Sequence, residues 1–253
     1  MQTTLTEIGP RLYRLSTCIP DLAPGGFTFN QFLLDAEQPL LFHTGMRGLF
    51  PSVVEAAKRA VPLERLRWIS FGHVEADECG SMNQWLAAAP AAQVLHGPVG
   101  CMVSLNDLAD RPPQVLAPGE TIDLGGRTIR LIYTPHVPHA WEAIVLFEET
   151  TKTLFCGDLF THGGDGPAIT KSDIVGPALE MEKVFPGATS LTPMTGPTIR
   201  SLADLNPRTL AVMHGSSFEG DGAGALRALA AGYDEMFSEV CRASAQTHPA
   251  PPA

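Results

Sequence analysis

The chain of 253 residues contains no CxxC pair, and its five cysteines (Cys18, Cys79, Cys101, Cys156 and Cys241) are odd in number and widely spaced. That pattern excludes a closed disulfide framework and a thiolate zinc site. Most of them read instead as small buried hydrophobes, and ordinary packing is also the reading for Cys79 and Cys156, which lie close to candidate ligands. Positive charge is also scarce. Lys and Arg number 17 against 27 Asp and Glu, the formal net charge is -10, and no basic run occurs. Nucleic-acid binding depends on clustered cations that release counterions, so no nucleic-acid partner is expected. No apolar run approaches the length of a bilayer span, and "MQTTLTEIGPRLYRL" lacks the basic start and apolar middle of a secretion signal. A soluble, cytoplasmic protein with no membrane partner is the expectation. No internal repeat is visible, which excludes a solenoid.

What is present is a globular pattern: 44% hydrophobic residues, with 24 Gly and 22 Pro distributed along the chain. "RLYRLS", "FNQFLLD" and "PLLFHTG" read as short strands broken by turn residues. "FPSVVEAAKRAVP" spaces apolar residues on one face and is a helix stopped by Pro62; "RWISFGH" is a buried strand with His73 at its carboxyl end. "DECGSMNQWLAAAP" reads as one helix with an acidic first turn, where the helix dipole favours carboxylates. Two hairpins follow, one turning at Gly125 and Gly126 and the other near Thr150 to Lys152. Helices are expected over about residues 171–185 and 198–205, then a last strand "TLAVMHG" and a final amphipathic helix. Residues 1–245 form one expected domain, and 246–253 a flexible tail.

The polar tips of these strands come from distant segments: His73, Glu75 and Asp77 in "HVEADE", His136 and His139 in "TPHVPHAWE", Asp158 in "FCGDLF", and His214 in "MHGS". Each alone is as readily a solvated loop residue. Together they supply nitrogen and oxygen donors from several strand ends, which is how a rigid sheet assembles a metal site.

"HVEADE", followed by His139, Asp158 and His214, resembles the H-x-E-x-D... H... D... H pattern of flavodiiron proteins, and "FNQFLL", "HTG" and "FCGD" resemble landmarks of the metallo-β-lactamase fold. The similarity runs to about residue 245. It implies an α/β fold, the metallo-β-lactamase αββα sandwich of two mixed β-sheets flanked by helices. It also implies that His73, Glu75 and His139 hold one metal, Asp77 and His214 the other, and that Asp158 bridges them. The pair is expected to be two Fe ions, with Zn as the alternative. His139 is preferred to His136 because its placement before Asp158 and its following segment "HAWEA" match the family.

Hydrolases of this fold usually show HxHxDH. Here Glu75 stands where the second His would be, Glu78 where the last would be, and His43 in "FHTG" where Asp is common. Three carboxylates offset most of the four positive charges of two divalent ions, which weakens the site as an electrophile and favours a ferric state. The resemblance therefore implies a non-haem di-iron protein that binds dioxygen or nitric oxide, in the manner of stand-alone oxygen-binding members of that lineage, either reducing it as an oxidoreductase or sensing it. No flavodoxin-type phosphate loop or Rossmann glycine fingerprint is seen, so no flavin is expected within the chain and electrons are expected from a separate redox or signalling partner. A metallo-hydrolase of esters, thioesters or lactams is the rival. Glu78 and His162 are the candidate catalytic residues. Glu78 is read as a ligand of the second metal, a group that orients a bound water, a support behind a ligand or a helix cap, and His162 as a loop residue able to reach the open face and supply or orient a proton. Trp141 is read as core or as a wall of the pocket, Gly163 to Gly166 as a loop over the opening, and a homo-oligomer is expected from the resemblance.

Overall fold

The structure is a computed structural model, and it describes residues 1–247. Among them, two seven-stranded sheets are laid down one after the other along the chain. The first contains β1 (Thr4–Gly9), β2 (Leu12–Ile19), β3 (Phe27–Leu34), β4 (Leu40–Phe42), β5 (Trp68–Ser70), β6 (Gln93–His96) and β7 (Gln114–Val115), in that spatial order. The second contains β8 (Thr121–Asp123), β9 (Thr128–Tyr133), β10 (Ile144–Glu148), β11 (Thr153–Phe155), β12 (Ile169–Thr170), β13 (Thr209–Ala211) and β14 (Ser217–Glu219), ordered β12-β14-β13-β11-β10-β9-β8. Both are mixed. Pairings from β1 to β4 are antiparallel and from β4 to β7 parallel, while β11 pairs parallel with β13.

Alternation of side chains along each strand explains the layering. Phe32, Leu34, Leu40 and Phe42 point between the sheets, where they meet Leu131, Ile144, Leu146 and Phe155. Their neighbours Leu33 and Leu41 point outward, onto the helix α1 (Phe50–Ala57) and Trp85. In the second sheet Val145 and Phe147 point outward instead, packing with Ile199, Leu202, Leu226 and Leu229 of the later helices. Three apolar layers result, in the order helix, sheet, sheet, helix: the expected αββα sandwich.

The expected single helix over "DECGSMNQWLAAAP" is instead two, α2 (Ala76–Cys79) and α3 (Met82–Ala88). The break has a local cause. Ser81 N leaves the helical ladder to donate to Gly45 O (2.9 Å), Ser81 Oγ donates to Thr44 O (2.7 Å), and Trp85 Nε1 donates to the same carbonyl (3.0 Å). Thr44 N in turn donates to Glu78 O (2.7 Å). The β4 exit loop thus takes hydrogen bonds that a continuous helix would have kept for itself. The helices expected near 171–185 and 198–205 are Val175–Val184 and Thr195–Ala203, and the last helix is Gly222–Thr247. Beyond Thr247, the expected tail lies outside the described residues. No helix among the described residues is long and apolar enough to cross a membrane.

Candidate metal centre

Strands β4, β5, β9, β11 and β13 all run out toward one edge of the sandwich. The parallel pairs β4/β5 and β11/β13 set their carboxyl ends side by side. The residues just past those ends are His43, His73, His139, Asp158 and His214. The two sheets are locked together there by β3. Asn30 Nδ2 donates to Val212 O and Gly215 O (both 2.9 Å), and Thr28 Oγ1 accepts from Gly215 N (2.7 Å). Four non-glycine residues around this edge, His43, His136, Ala140 and Phe160, have φ between 61° and 67°. Left-handed backbone costs each of them about 1 kcal/mol or more, and strain of this kind collects where geometry serves a site.

His73, Glu75, His139 and Asp158 each offer a ligand atom within 4.8 Å of one another. His73 Nε2 lies 2.7 Å from Glu75 Oε2 and 2.7 Å from His139 Nε2; His139 Nε2 lies 3.1 Å from Glu75 Oε2 and 3.5 Å from Asp158 Oδ2. The other oxygen, Asp158 Oδ1, faces His214 Nε2 at 3.2 Å, and His214 Nε2 is 3.3 Å from Asp77 Oδ2. Six sequence-predicted residues are therefore brought together in two groups, with the two oxygens of one carboxylate between them.

The imidazole orientations follow from what the opposite ring nitrogens touch. His139 Nδ1 faces Ala188 O at 2.6 Å and His214 Nδ1 faces Thr28 O at 2.8 Å. A carbonyl only accepts, so both Nδ1 atoms carry a proton, and in the neutral ring it is Nε2 that presents a lone pair. His73 Nδ1 lies 3.3 Å from Glu78 Oε1, which assigns the same tautomer. Two ring nitrogens 2.7 Å apart share one proton at most, whereas one cation accepts both lone pairs. Asp158 Oδ1 has no hydrogen-bond donor although it is buried. Three lone pairs and three carboxylates facing one another fit a cation-holding site.

The electrostatics agree. Burial opposes a proton on His73, yet Glu78, Glu75 and Asp158 push it up to about 12; Asp158 and Asp77 likewise carry His214 to about 10 against its burial. Hydrogen bonding to Glu75 raises His139, and hydrogen bonds from His139 and His73 hold Glu75 well below the usual carboxylate range. Burial would raise Asp158, but His214, His73 and His139 bring it to about 2. Without a metal, the site gathers protons in place of positive ions.

Glu78 is fully buried and does not cap a helix end. Its Oε2 accepts from His73 N (2.7 Å), and its Oε1 faces His73 Nδ1 (3.3 Å) and His43 Nε2 (3.5 Å). Burial pushes the carboxyl up, and the His73 and His43 charges bring it net down. His162 is buried with both ring nitrogens on backbone groups: Nδ1 donates to Phe160 O (2.8 Å) and Nε2 accepts from Ser216 N (2.9 Å). His136 is exposed and its N donates to Ala140 O (2.7 Å), closing the loop that presents His139. Trp141 is 57% exposed, so it belongs to the surface and not to the core; the turn after His139 points it outward. Sequence reading missed Glu142, a buried acid whose Oε1 accepts from Val74 N (3.1 Å) and steadies the His73–Glu75 turn. An acid at the mouth of an otherwise apolar strand was the only signal for it.

A cleft of about 350 Å³ opens over this cluster, walled by Phe27, Phe29, Met181 and Phe185 with Glu75, Asp77, His139, Asp158 and His214 at its base.

The sandwich and the cluster at its strand ends define a metallo-β-lactamase-fold protein with a carboxylate-rich candidate metal site. Residues 27–215 match the profile of the ODP family beta lactamase, and the chain belongs to that family. It is 26% identical over 141 residues to a rubredoxin-oxygen oxidoreductase of Megalodesulfovibrio gigas, covering 55% of this chain and 35% of that protein. It is 23% identical over 139 residues to an anaerobic nitric oxide reductase flavorubredoxin of Salmonella arizonae, covering 53% and 29%. The flavodiiron core of Flv1 from Synechocystis superposes with a TM-score of 0.76 at 19% identity, over 94% of this chain and 61% of that one. The matches span about a quarter to a third of the curated relatives' own length.

Proposed function

We propose that this chain is a non-haem di-iron protein that binds dioxygen or nitric oxide at the base of the cleft. In this reading His73, Glu75 and His139 would hold one iron, Asp77 and His214 the other, and Asp158 would serve both. The observation that supports it best is the donor set: three imidazole lone pairs and three carboxylates converge, and Asp158 Oδ1 has no donor of its own. Hard anionic oxygens favour the ferric state over Lewis-acid hydrolysis.

Two ferrous ions held there would supply two electrons to a bound diatomic molecule. Two nitric oxide molecules need those two electrons and two protons from solvent to become nitrous oxide and water. Dioxygen needs four electrons and four protons to become two waters, so the remaining electrons come from a separate redox protein, or binding itself is the output and the chain senses oxygen. The chain's own contribution is positional. Ala188 O, Thr28 O and Glu78 fix the three imidazoles with their lone pairs inward. The apolar walls admit a small neutral molecule and disfavour charged ones. Glu78 adds negative charge behind His73, making that imidazole a stronger donor. His162 braces the loops after β11 and β13 from the backbone side, and no proton transfer is assigned to it. A soluble homo-oligomer in the cytoplasm completes the reading.

The cleft volume favours one second reading, because 350 Å³ accommodates far more than a diatomic gas. That reading is a zinc or mixed-metal hydrolase of a small ester, thioester or lactam. Metal analysis of protein purified without added metal, combined with an ester-hydrolysis assay, separates the two. Iron with no hydrolysis supports the di-iron reading, and colourless zinc-filled protein with hydrolysis replaces it.

A further inference from the structure

The cleft wall contains one carboxylate outside the ligand cluster. Glu182, on the helix Val175–Val184, lines the cleft, and its partners lead away from the cluster and back to it. Tyr233, buried in the C-terminal helix, donates to Glu182 Oε1 at 3.1 Å. Thr189 Oγ1 donates to the same oxygen, Thr189 N donates to Glu182 Oε2 at 3.3 Å, and the Thr189 hydroxyl lies 3.1 Å from Tyr233 Oη. Thr189 follows Ala188 directly, and Ala188 O is the acceptor for His139 Nδ1 at 2.6 Å. One residue on, Ser190 N donates to Pro138 O at 2.6 Å, immediately before His139.

The segment Phe185–Ser190 is mostly exposed and contains no regular structure. Backbone of that kind does not hold a carbonyl in place by itself. Tethers to residues outside it hold its end here: Thr189 to Glu182 and to Tyr233, and Ser190 to Pro138 and to Thr195. We propose that Glu182 and Tyr233 are positioning residues for His139, acting through Thr189 to fix the Ala188 carbonyl and with it the tautomer and aim of the imidazole. Glu182 touches no metal-facing atom of His139, so its effect reaches the site through the backbone. His214 takes its orientation from Thr28 on the other sheet, so the effect is confined to the His73–Glu75–His139 half. A ligand orientation maintained from behind in this way is worth about 10–100-fold in metal affinity.

The inference rests on the two-metal reading and is tested on the full chain with cobalt(II), whose visible absorption reports its donor set. Parent protein, Glu182→Ala, Glu182→Gln, Thr189→Val and Tyr233→Phe are titrated against a competing chelator, and the melting temperature of each metal-free protein is recorded. The expected result is a two-step titration in the parent, with one step weakened about 10–100-fold in Glu182→Ala and Thr189→Val and the other unchanged. Tyr233→Phe shifts the same step by less, and Glu182→Gln, whose amide oxygen still accepts both hydroxyls, recovers most of the loss. Equal affinities in parent and variants overturn the inference and leave the two-metal reading intact. So does a uniform weakening of both steps in proportion to a lowered metal-free melting temperature. A parent that binds no pair of cobalt ions removes the two-metal reading itself, and the inference with it.

Discussion

At the scale of the residue, Asp158 divides its two oxygens between the two halves of the cluster, 3.5 Å from His139 and 3.2 Å from His214. Asp158→Asn is therefore expected to disturb both halves at once and to leave at most about one metal per chain, read by elemental analysis. Glu75→His exchanges an anion for a neutral donor. It is expected to raise the zinc-to-iron ratio of protein purified from cells, and an unchanged ratio would count against the charge argument. The metal-free protein has its own pH signature. His214 and His73 titrate near 10 and 12, above their ordinary 6.5, so they stabilise the metal-free fold fully below about pH 6.5 and lose that contribution as pH rises through 10 and 12. Asp158 titrates near 2, below its ordinary 3.8, so its contribution is present above about pH 4 and lost as pH falls through 2. Metal displaces those histidine protons, so loading at pH 7 releases protons and metal retention weakens toward acid. Loading in unbuffered solution with a pH electrode checks the sign.

At the scale of the element, the apolar pattern was a better guide than the chain breaks. The first strand of the hairpin expected near Thr150 to Lys152, "AIVLFE", is apolar on both faces and lies between two apolar layers, with Ile144 and Leu146 inward and Val145 and Phe147 outward. The hairpin turns at Gly125 and Gly126 lie where expected, both glycines at positive φ. Strands β1 and β6 were not read from the sequence, nor were the two-residue β7 and β12 and the three-residue β14, of which the last three are too short to have a period and pair only once their neighbours exist. The break between α2 and α3 was illegible for a related reason: it is made by carbonyls of the β4 exit loop, distant in sequence. The cluster was legible in "HVEADE" and three strand ends because donor types are written in the residues themselves. The carbonyls that orient them, from Thr28 and Ala188, carry no residue-type signal. Gly72 shows how elements serve the cluster. A Cβ there would stand 3.0 Å from both oxygens of Glu78, so Gly72→Ala is expected to displace that carboxylate and weaken metal retention severalfold while changing unfolding stability little. Phe155→Ala does the opposite. Its fully buried ring packs 5.3 Å from Phe42 and 6.0 Å from Phe32 between the sheets, and its loss is expected to cost about 3–5 kcal/mol in urea unfolding.

At the scale of the whole molecule, two sheets meet along one edge and every candidate ligand is carried there, so the ions that this edge holds decide what the molecule does. Side chains of β3 fasten the second sheet's exit loop to the first, which keeps the two halves of the cluster in register. The most direct test is to assay metal in the purified protein, reduce it without air, then admit oxygen while recording the visible spectrum. The account predicts two irons per chain and an absorption band that appears on exposure and fades when the protein is reduced again. Zinc in place of iron, or iron whose spectrum does not respond to oxygen, would contradict it.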